Sequence, residues 1–286
     1  MIDSNKLNLC IVTNRKEDIG NTNGNIFMFL SEFPEGKVVV YYDDKLTDEI
    51  KNAFYHSDKV TVVDGRENKG LLLSRYEVTK IVPEFEYIIW LDSDDSLIMT
   101  SLKILVNEGS EIYDIIGDYY HNEMWCKIWK SGVLRKSYEW FKVPELRFNL
   151  DLSEASIANF VTWNSLVPNT YLDTKNKCPL INYTGFHGLP VMDKPEFWKD
   201  NSKNPYKLSD LLCQLLVFEI ENNISRGFFG SKTYDVFSRI PNLESLEKLH
   251  KIFLESSLEK CNESLKPELR KRFEELLYLK RKQLAN

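Results

Sequence analysis

Tyr87-Ile88-Ile89-Trp90-Leu91-Asp92-Ser93-Asp94-Asp95 decides the fold of this chain. The run from Tyr87 to Leu91 is apolar without alternation, so it reads as a strand covered on both faces. Three carboxylates then fall within four residues. They repel one another unless a cation lies among them, and hard carboxylate oxygens suit Mg2+ or Mn2+, ions that also bind diphosphates. A lone D-x-D is more simply an acidic turn with one Asp capping the next helix. Placement directly after YIIWL favours a metal and nucleotide centre instead.

Working outward, Leu7 to Thr13, Lys37 to Tyr42 (KVVVYY) and Lys59 to Val63 read as further buried strands. Asn25 to Phe33, Leu46 to Tyr55 and Gly70 to Val82 carry helical spacing between them. Near-continuous apolar strands separated by helices predict an α/β fold: a Rossmann-like, mainly parallel sheet flanked by helices. Such sheets bind ligands beyond the carboxyl ends of their strands. Thr13-Asn14-Arg15, Asp43-Asp44, Asp64-Gly65 and Asp92 to Asp95 therefore converge on one crevice.

After Ser96 the alternation becomes irregular. Ile112 to Gly117, Cys126 to Trp129 and Leu180 to Tyr183 read as strands, and a helix follows Ser153 towards Trp163. The remainder is helical, at roughly Lys207 to Asn222, Leu243 to Cys261 and Pro267 to Leu284. The expected division is a catalytic region over 1–200 and a helical C-terminal extension over 201–286. Within the first, a nucleotide-sugar half occupies about 1–100 and an acceptor half about 101–200.

The 286 residues are 43% hydrophobic and 13% aromatic, enough for one sizeable core. A net charge of −6 argues against general nucleic-acid coating. The five cysteines are scattered, with no C-x-x-C pair, which reads as reduced thiols. The N-terminal apolar stretch is too short and too interrupted for a signal peptide, and no run approaches the ~18 residues of a membrane span. A cytoplasmic protein is expected.

Asn68-Lys69-Gly70 through Ser74-Arg75, followed by YIIWLDSDDSL, resembles the nucleotide-binding half of family 2 glycosyltransferases. There, a helix beginning near Asn-x-Gly and containing a small residue before Arg precedes the strand that delivers D-x-D-D. Tyr42-Asp43-Asp44-Lys45-Leu46-Thr47-Asp48 is similar to that family's acidic turn after its second strand. The resemblance covers about residues 7–135 well and the next fifty loosely; the family's Pro-x-Tyr-Asn is missing after the first strand. It implies a GT-A fold with Thr13 and Arg15 near the nucleotide. Asp43 or Asp44 would meet the base, usually uracil, or its ribose. Asp64 and Lys69 would line the nucleotide pocket, and Arg75 would approach the sugar or diphosphate. Asp92 and Ser93 would contact ribose or sugar, Asp94 would bind Mn2+ or Mg2+ with Asp92, and Asp95 would support the site.

A transferase also needs a group that takes the acceptor proton. In the resembling family this is the acidic residue of a Glu-Asp or similar pair opening a helix well after D-x-D. Arg147 to Glu154 occupies that place, with Leu150 where Glu is expected. Asp151 is the first candidate and Glu154 the second; for either, a carboxylate favoured by the helix dipole is the plainer alternative. His187, between Gly185 and Gly188, stands where many GT-A enzymes carry a late His on the metal, although a lone His is more often structural. Trp125, Trp129, Trp140 and Trp163 offer faces for sugar rings, most of them expected in the core. Cys126-Lys127-Ile128-Trp129-Lys130 resembles the strand after the active site, whose lysine often closes the cleft.

From Lys266 to Asn286 there are seven Lys/Arg and three Glu, a local charge of about +4. This suits either a packed helix with a solvated face or a peripheral contact with an anionic membrane surface. Together these features lead to a metal-dependent glycosyltransferase, for which the family resemblance implies a hexosyltransferase-like, inverting enzyme with a UDP-sugar donor. It would move one sugar from a UDP-sugar to a hydroxyl of a glycan, protein, lipid carrier or modified nucleic-acid base. A nucleotidyltransferase is the enzymatic alternative, for which Gly20 to Gly24 is too sparse a phosphate loop. A non-catalytic nucleotide- or sugar-binding module is the other.

Overall fold

Strands β1 (Leu7–Thr13), β2 (Lys37–Tyr42), β3 (Val60–Asp64) and β4 (Tyr87–Asp92) are mutually parallel, in the spatial order β3-β2-β1-β4. All seven residues of β1 and the first five of β4 are buried, as their unbroken apolar runs require when helices cover both faces. The expected third and fourth strands are each displaced or extended by one residue, taking in Asp64 and Asp92. These coordinates are a computed structural model, describing residues 1–117, 127–140, 167–174, 180–182, 195–199, 204–221, 237 and 239–285.

Beyond β4 the sheet continues through β7 (Lys127–Lys130), β6 (Ile115–Gly117) and β8 (Tyr171–Asp173). Among the described strands of this sheet, β7 alone runs against the rest; β6 and β8 are parallel. Two short strands, β5 (Ser96–Leu97) and β9 (Ile181–Asn182), pair antiparallel beside the acidic loop. The helices are α1 (Ile19–Glu32), α2 (Asp48–Ala53), α3 (Leu71–Ile81), α4 (Met99–Glu108) and α5 (Ser131–Trp140). Phe29 of α1 and Leu102 and Leu105 of α4 pack with Leu9, Ile11, Ile89 and Leu91 in one core.

Three helices of the first unit depart from expectation. Helix α1 begins at Ile19, six residues before Asn25, although Gly20-Asn21-Thr22-Asn23-Gly24 is a poor helix former. Tertiary hydrogen bonds from Asn21 and Asn25 offset that local preference. Helices α4 and α5 had no assigned counterpart in the sequence.

The chain separates into two units, Met1–Phe186 and His187–Asn286. The second contains α6 (Asn204–Glu221), α7 (Leu243–Ile252) and α8 (Lys266–Leu284). The single helix expected over 243–261 is α7 followed by a π-helical turn (Phe253–Ser257) and a 3-10 turn (Leu258–Lys260). The rings of Phe253 and Phe273 stack with centroids 3.6 Å apart. Along the basic C-terminal helix, Arg281 pairs with Glu247, Lys266 with Glu259 and Glu263, and Arg272 with Glu268. Leu269, Phe273 and Leu277 are buried on its other side, which is the packed-helix arrangement. No described helix is long and apolar enough to cross a membrane.

Candidate functional site

Strand order reverses between β1 and β4: β2 and β3 lie on one side of β1, β4 on the other. A parallel sheet opens a crevice at such a point, because the connections leave on opposite faces. The register aligns the strand ends there. Val12 sits opposite Asp92, Thr13 opposite Tyr42, and Tyr42 opposite Asp64. Thr13-Asn14-Arg15 and Asp92 to Asp95 therefore flank the same crevice.

Two arginines meet two of the carboxylates. Arg75, 2% exposed in α3, forms an ion pair with Asp92 Oδ1, and its guanidinium lies 5.3 Å from the Trp90 ring centroid. Arg15 Nη1 lies 3.1 Å from Asp94 Oδ2 and 3.8 Å from Asp18 Oδ2. The carboxylates differ in access: the Asp92 and Asp94 side chains are 19% and 24% exposed, whereas Asp95 is fully buried. The D-x-D pair thus faces outward and the fourth residue anchors the turn, whose Asp95 N–H donates to the Asp92 carbonyl at 3.1 Å.

That turn is held by one face of α1 and its cap, a feature the sequence reading missed. Asn21 Nδ2 donates to the carbonyls of Ser93 and Asp95, both at 2.7 Å. Asn25 Nδ2 donates to Asp95 O at 3.0 Å, and its Oδ1 accepts from Leu97 N–H at 2.9 Å. Asp18 Oδ2 accepts from the Ser93 hydroxyl at 2.8 Å. Asp18, Asn21 and Asn25 are spaced i, i+3, i+7, one side of a helix. The available signal was this asparagine spacing, read above only as a failed phosphate loop.

The earlier strand ends are committed to backbone. Asp43, buried, accepts from Lys69 N–H at 2.8 Å and Gly70 N–H at 3.0 Å, tying the β2 end to the start of α3. Burial raises its carboxyl pKa, opposed by those two amides and the Ser74 hydroxyl. Gly70 has φ of 83°, a conformation glycine adopts freely. Asp44 is exposed and accepts from Lys45 N–H. Asp64, also exposed, accepts from the Leu46 and Arg66 amides, which lower its pKa. Thr13 Oγ1 accepts from Arg15 N–H at 3.1 Å, shaping the β1 end. Trp129 and Lys127 are fully buried. Asp151, Glu154, His187, Trp125 and Trp163 lie outside the described residues.

Among the described residues no three His, Cys, Asp or Glu side chains converge as a metal cage. Asp92 and Asp94 nevertheless fit a hard divalent cation: both present carboxylate oxygens, both are partly accessible, and they stand at the sheet's ligand-binding edge.

No protein-family model matches the chain, and the curated proteins include no significant match to it. Among solved structures, the chain is similar to residues 1–349 of S. aureus TarS in complex with UDP-GlcNAc. That alignment has a TM-score of 0.50 and 14% identity, covering 95% of this chain and 81% of that one. The same TarS fragment in complex with UDP aligns with a TM-score of 0.45 and 12% identity, covering 96% and 87%. The likeness rests on the first alignment, and at this identity it concerns the fold: a Rossmann-like, mostly parallel sheet of the glycosyltransferase GT-A kind.

Proposed function

We propose that this chain is a nucleotide-sugar-dependent glycosyltransferase of the family 2 type, transferring a single hexose-like sugar from a UDP-sugar to an acceptor hydroxyl. The observation that carries it is the placement of Asp92 and Asp94, each paired with an arginine, at the β1/β4 reversal. A UDP-sugar has a sugar to be fixed by carboxylates and a diphosphate to be met by cations; this edge offers both. The UDP-GlcNAc complex of the similar TarS fragment supports the donor class.

Each residue has a role in this reading. Arg75 holds Asp92 in one orientation, so that the carboxylate can accept from donor hydroxyls without rearranging. Arg15 is the more exposed cation and can leave Asp94 to meet the diphosphate. Asp92 and Asp94 would hold Mn2+ or Mg2+, with His187 as a further proposed ligand. When bound, the cation stabilises negative charge on the departing diphosphate. Asp43 and Asp64 shape the nucleoside side of the crevice through the backbone they hold, and Lys69 lies beside it. Asp151 or Glu154 is proposed as the base that takes the acceptor proton, with inversion at the sugar.

The test is UDP release from a panel of UDP-sugars, with and without Mn2+. Metal-dependent UDP release is expected, and Asp94→Ala should abolish it while leaving the circular-dichroism spectrum unchanged. Release of a sugar 1-phosphate, with the UMP group passing to another acceptor, would favour a nucleotidyltransferase, and donor binding without turnover a non-catalytic module.

A further inference from the structure

Cys213 and Cys261 are 48 residues apart in sequence, yet their sulfurs are 3.2 Å apart. Cys213 is buried in α6; Cys261 follows the 3-10 turn and is partly exposed. Both sulfurs also face the carbonyl of Ser257, at 3.7 and 3.4 Å. Ser257 closes the π-helical turn, an irregularity often found where a helix serves a local function. Its hydroxyl contacts Ser209 at 2.8 Å and donates to Asp210 at 2.7 Å, and Asp210 pairs with Lys260 at 2.8 Å. The thiols are therefore held beside a polar network that ties α6 to the turn.

From this juxtaposition we propose that Cys213 and Cys261 are a redox-active dithiol, which oxidants convert to an intramolecular disulfide within the second unit. The accessible and buried thiols divide the work. Cys261 is the attacking group: the Cys213 hydrogen bond lowers its pKa, Lys266 and Lys260 act in the same direction, and burial and Asp210 oppose them. Cys213, whose pKa is raised by the same contact and by burial, resolves the intermediate. With oxidised glutathione, the Cys261 thiolate attacks one sulfur and releases one glutathione thiolate. Cys213 then loses its proton and attacks Cys261 sulfur, releasing the second glutathione. Two protein thiols are oxidised and one glutathione disulfide is reduced to two thiols.

The test treats reduced full-length protein with oxidised glutathione, followed by alkylation under denaturing conditions and peptide mapping. The expected result is a Cys213–Cys261 linked peptide, with loss of two hydrogens and reversal by dithiothreitol. The variant Cys213→Ala should stop at a glutathione adduct on Cys261, and Cys261→Ser should form neither product. Before oxidation, iodoacetamide should modify Cys261 faster than buried Cys10 in the native protein. Oxidation that leaves both thiols free, or a stable glutathione adduct on Cys261 in the unsubstituted protein, overturns the proposal.

Discussion

Replacing Asn25 by leucine keeps the number and branching of side-chain heavy atoms while removing its amide, and the consequences fall unevenly on the acidic turn. Asp95 O keeps its second donor, Asn21 Nδ2 at 2.7 Å. Leu97 N–H has no such reserve in the ladder: Ile98 N–H is the one turned to β9, donating to Leu180 O, and alternation sends Leu97 N–H the other way. A buried donor left without an acceptor costs about 1–3 kcal/mol, and the lost bond to Asp95 adds about 1 kcal/mol. Asn25→Leu should therefore destabilise the turn by roughly 2–4 kcal/mol. If Leu97 exchanges by local opening, its amide should exchange about 30- to 1,000-fold faster, at 1.4 kcal/mol per tenfold. Amide hydrogen exchange resolved to the 93–98 segment measures this directly. Asn21→Ala, which leaves Asn25 in place, should change Leu97 protection by less than about tenfold. Equal effects from the two substitutions, or unchanged protection in Asn25→Leu, would refute the clamp.

Three other perturbations follow from the same geometry. Asp92→Asn, which takes this counter-charge from a guanidinium with 3% side-chain exposure, should cost about 3 kcal/mol. Arg75→Met should cost less, because the partly exposed Asp92 can hydrate. In urea unfolding the double variant should fall short of the sum by at least about 1 kcal/mol, and strict additivity would dissolve the pair. Gly65→Ala would set a Cβ 2.5 Å from Tyr42 O and 3.1 Å from Asp43 Cα, so backbone must move. A loss of about 1–3 kcal/mol in chemical denaturation is expected, and an unshifted midpoint contradicts it. Asp64 has a lowered folded pKa, so its contribution is present above the ordinary Asp pKa and fades as pH falls through the folded value. Asp64→Asn should then narrow the difference in urea midpoint between neutral and acid pH; a difference equal to wild type argues against the amide contacts.

Strand existence was legible wherever burial on both faces forces an uninterrupted apolar run, as in Leu7–Thr13 and Tyr87–Leu91. The convergence of strand ends followed from parallel pairing, since register then places Val12 beside Asp92 without further information. Helix α1 was legible only in its apolar half. Its polar half is stabilised by what Asn21 and Asn25 reach in three dimensions, and propensity carries no trace of partners about seventy residues away. The Cys213–Cys261 contact was hidden for the same reason. Spacing arithmetic detects local thiol pairs, whereas this one is made by the packing of α6 against a turn.

Charge explains why Asp92 to Asp95 do not behave as one acidic patch. A buried guanidinium beside Asp92 and an exposed one beside Asp94 divide the neutralisation between a fixed cation and a movable one. Arg75 loses little further freedom when a ligand arrives, so it suits orientation. Arg15, 55% exposed on its side chain, retains rotamer freedom and can exchange its partner. An incoming diphosphate would compete with Asp94 for Arg15 while an incoming divalent cation would compete with Arg15 for Asp94. Those two exchanges are complementary: each releases the partner that the other ligand requires. Donor and metal should therefore bind more tightly together than separately, and Arg15→Ala should weaken that coupling while leaving the Arg75–Asp92 pair intact. Calorimetric titration of UDP with and without Mn2+ measures the coupling, and an undiminished value in Arg15→Ala would remove Arg15 from the exchange.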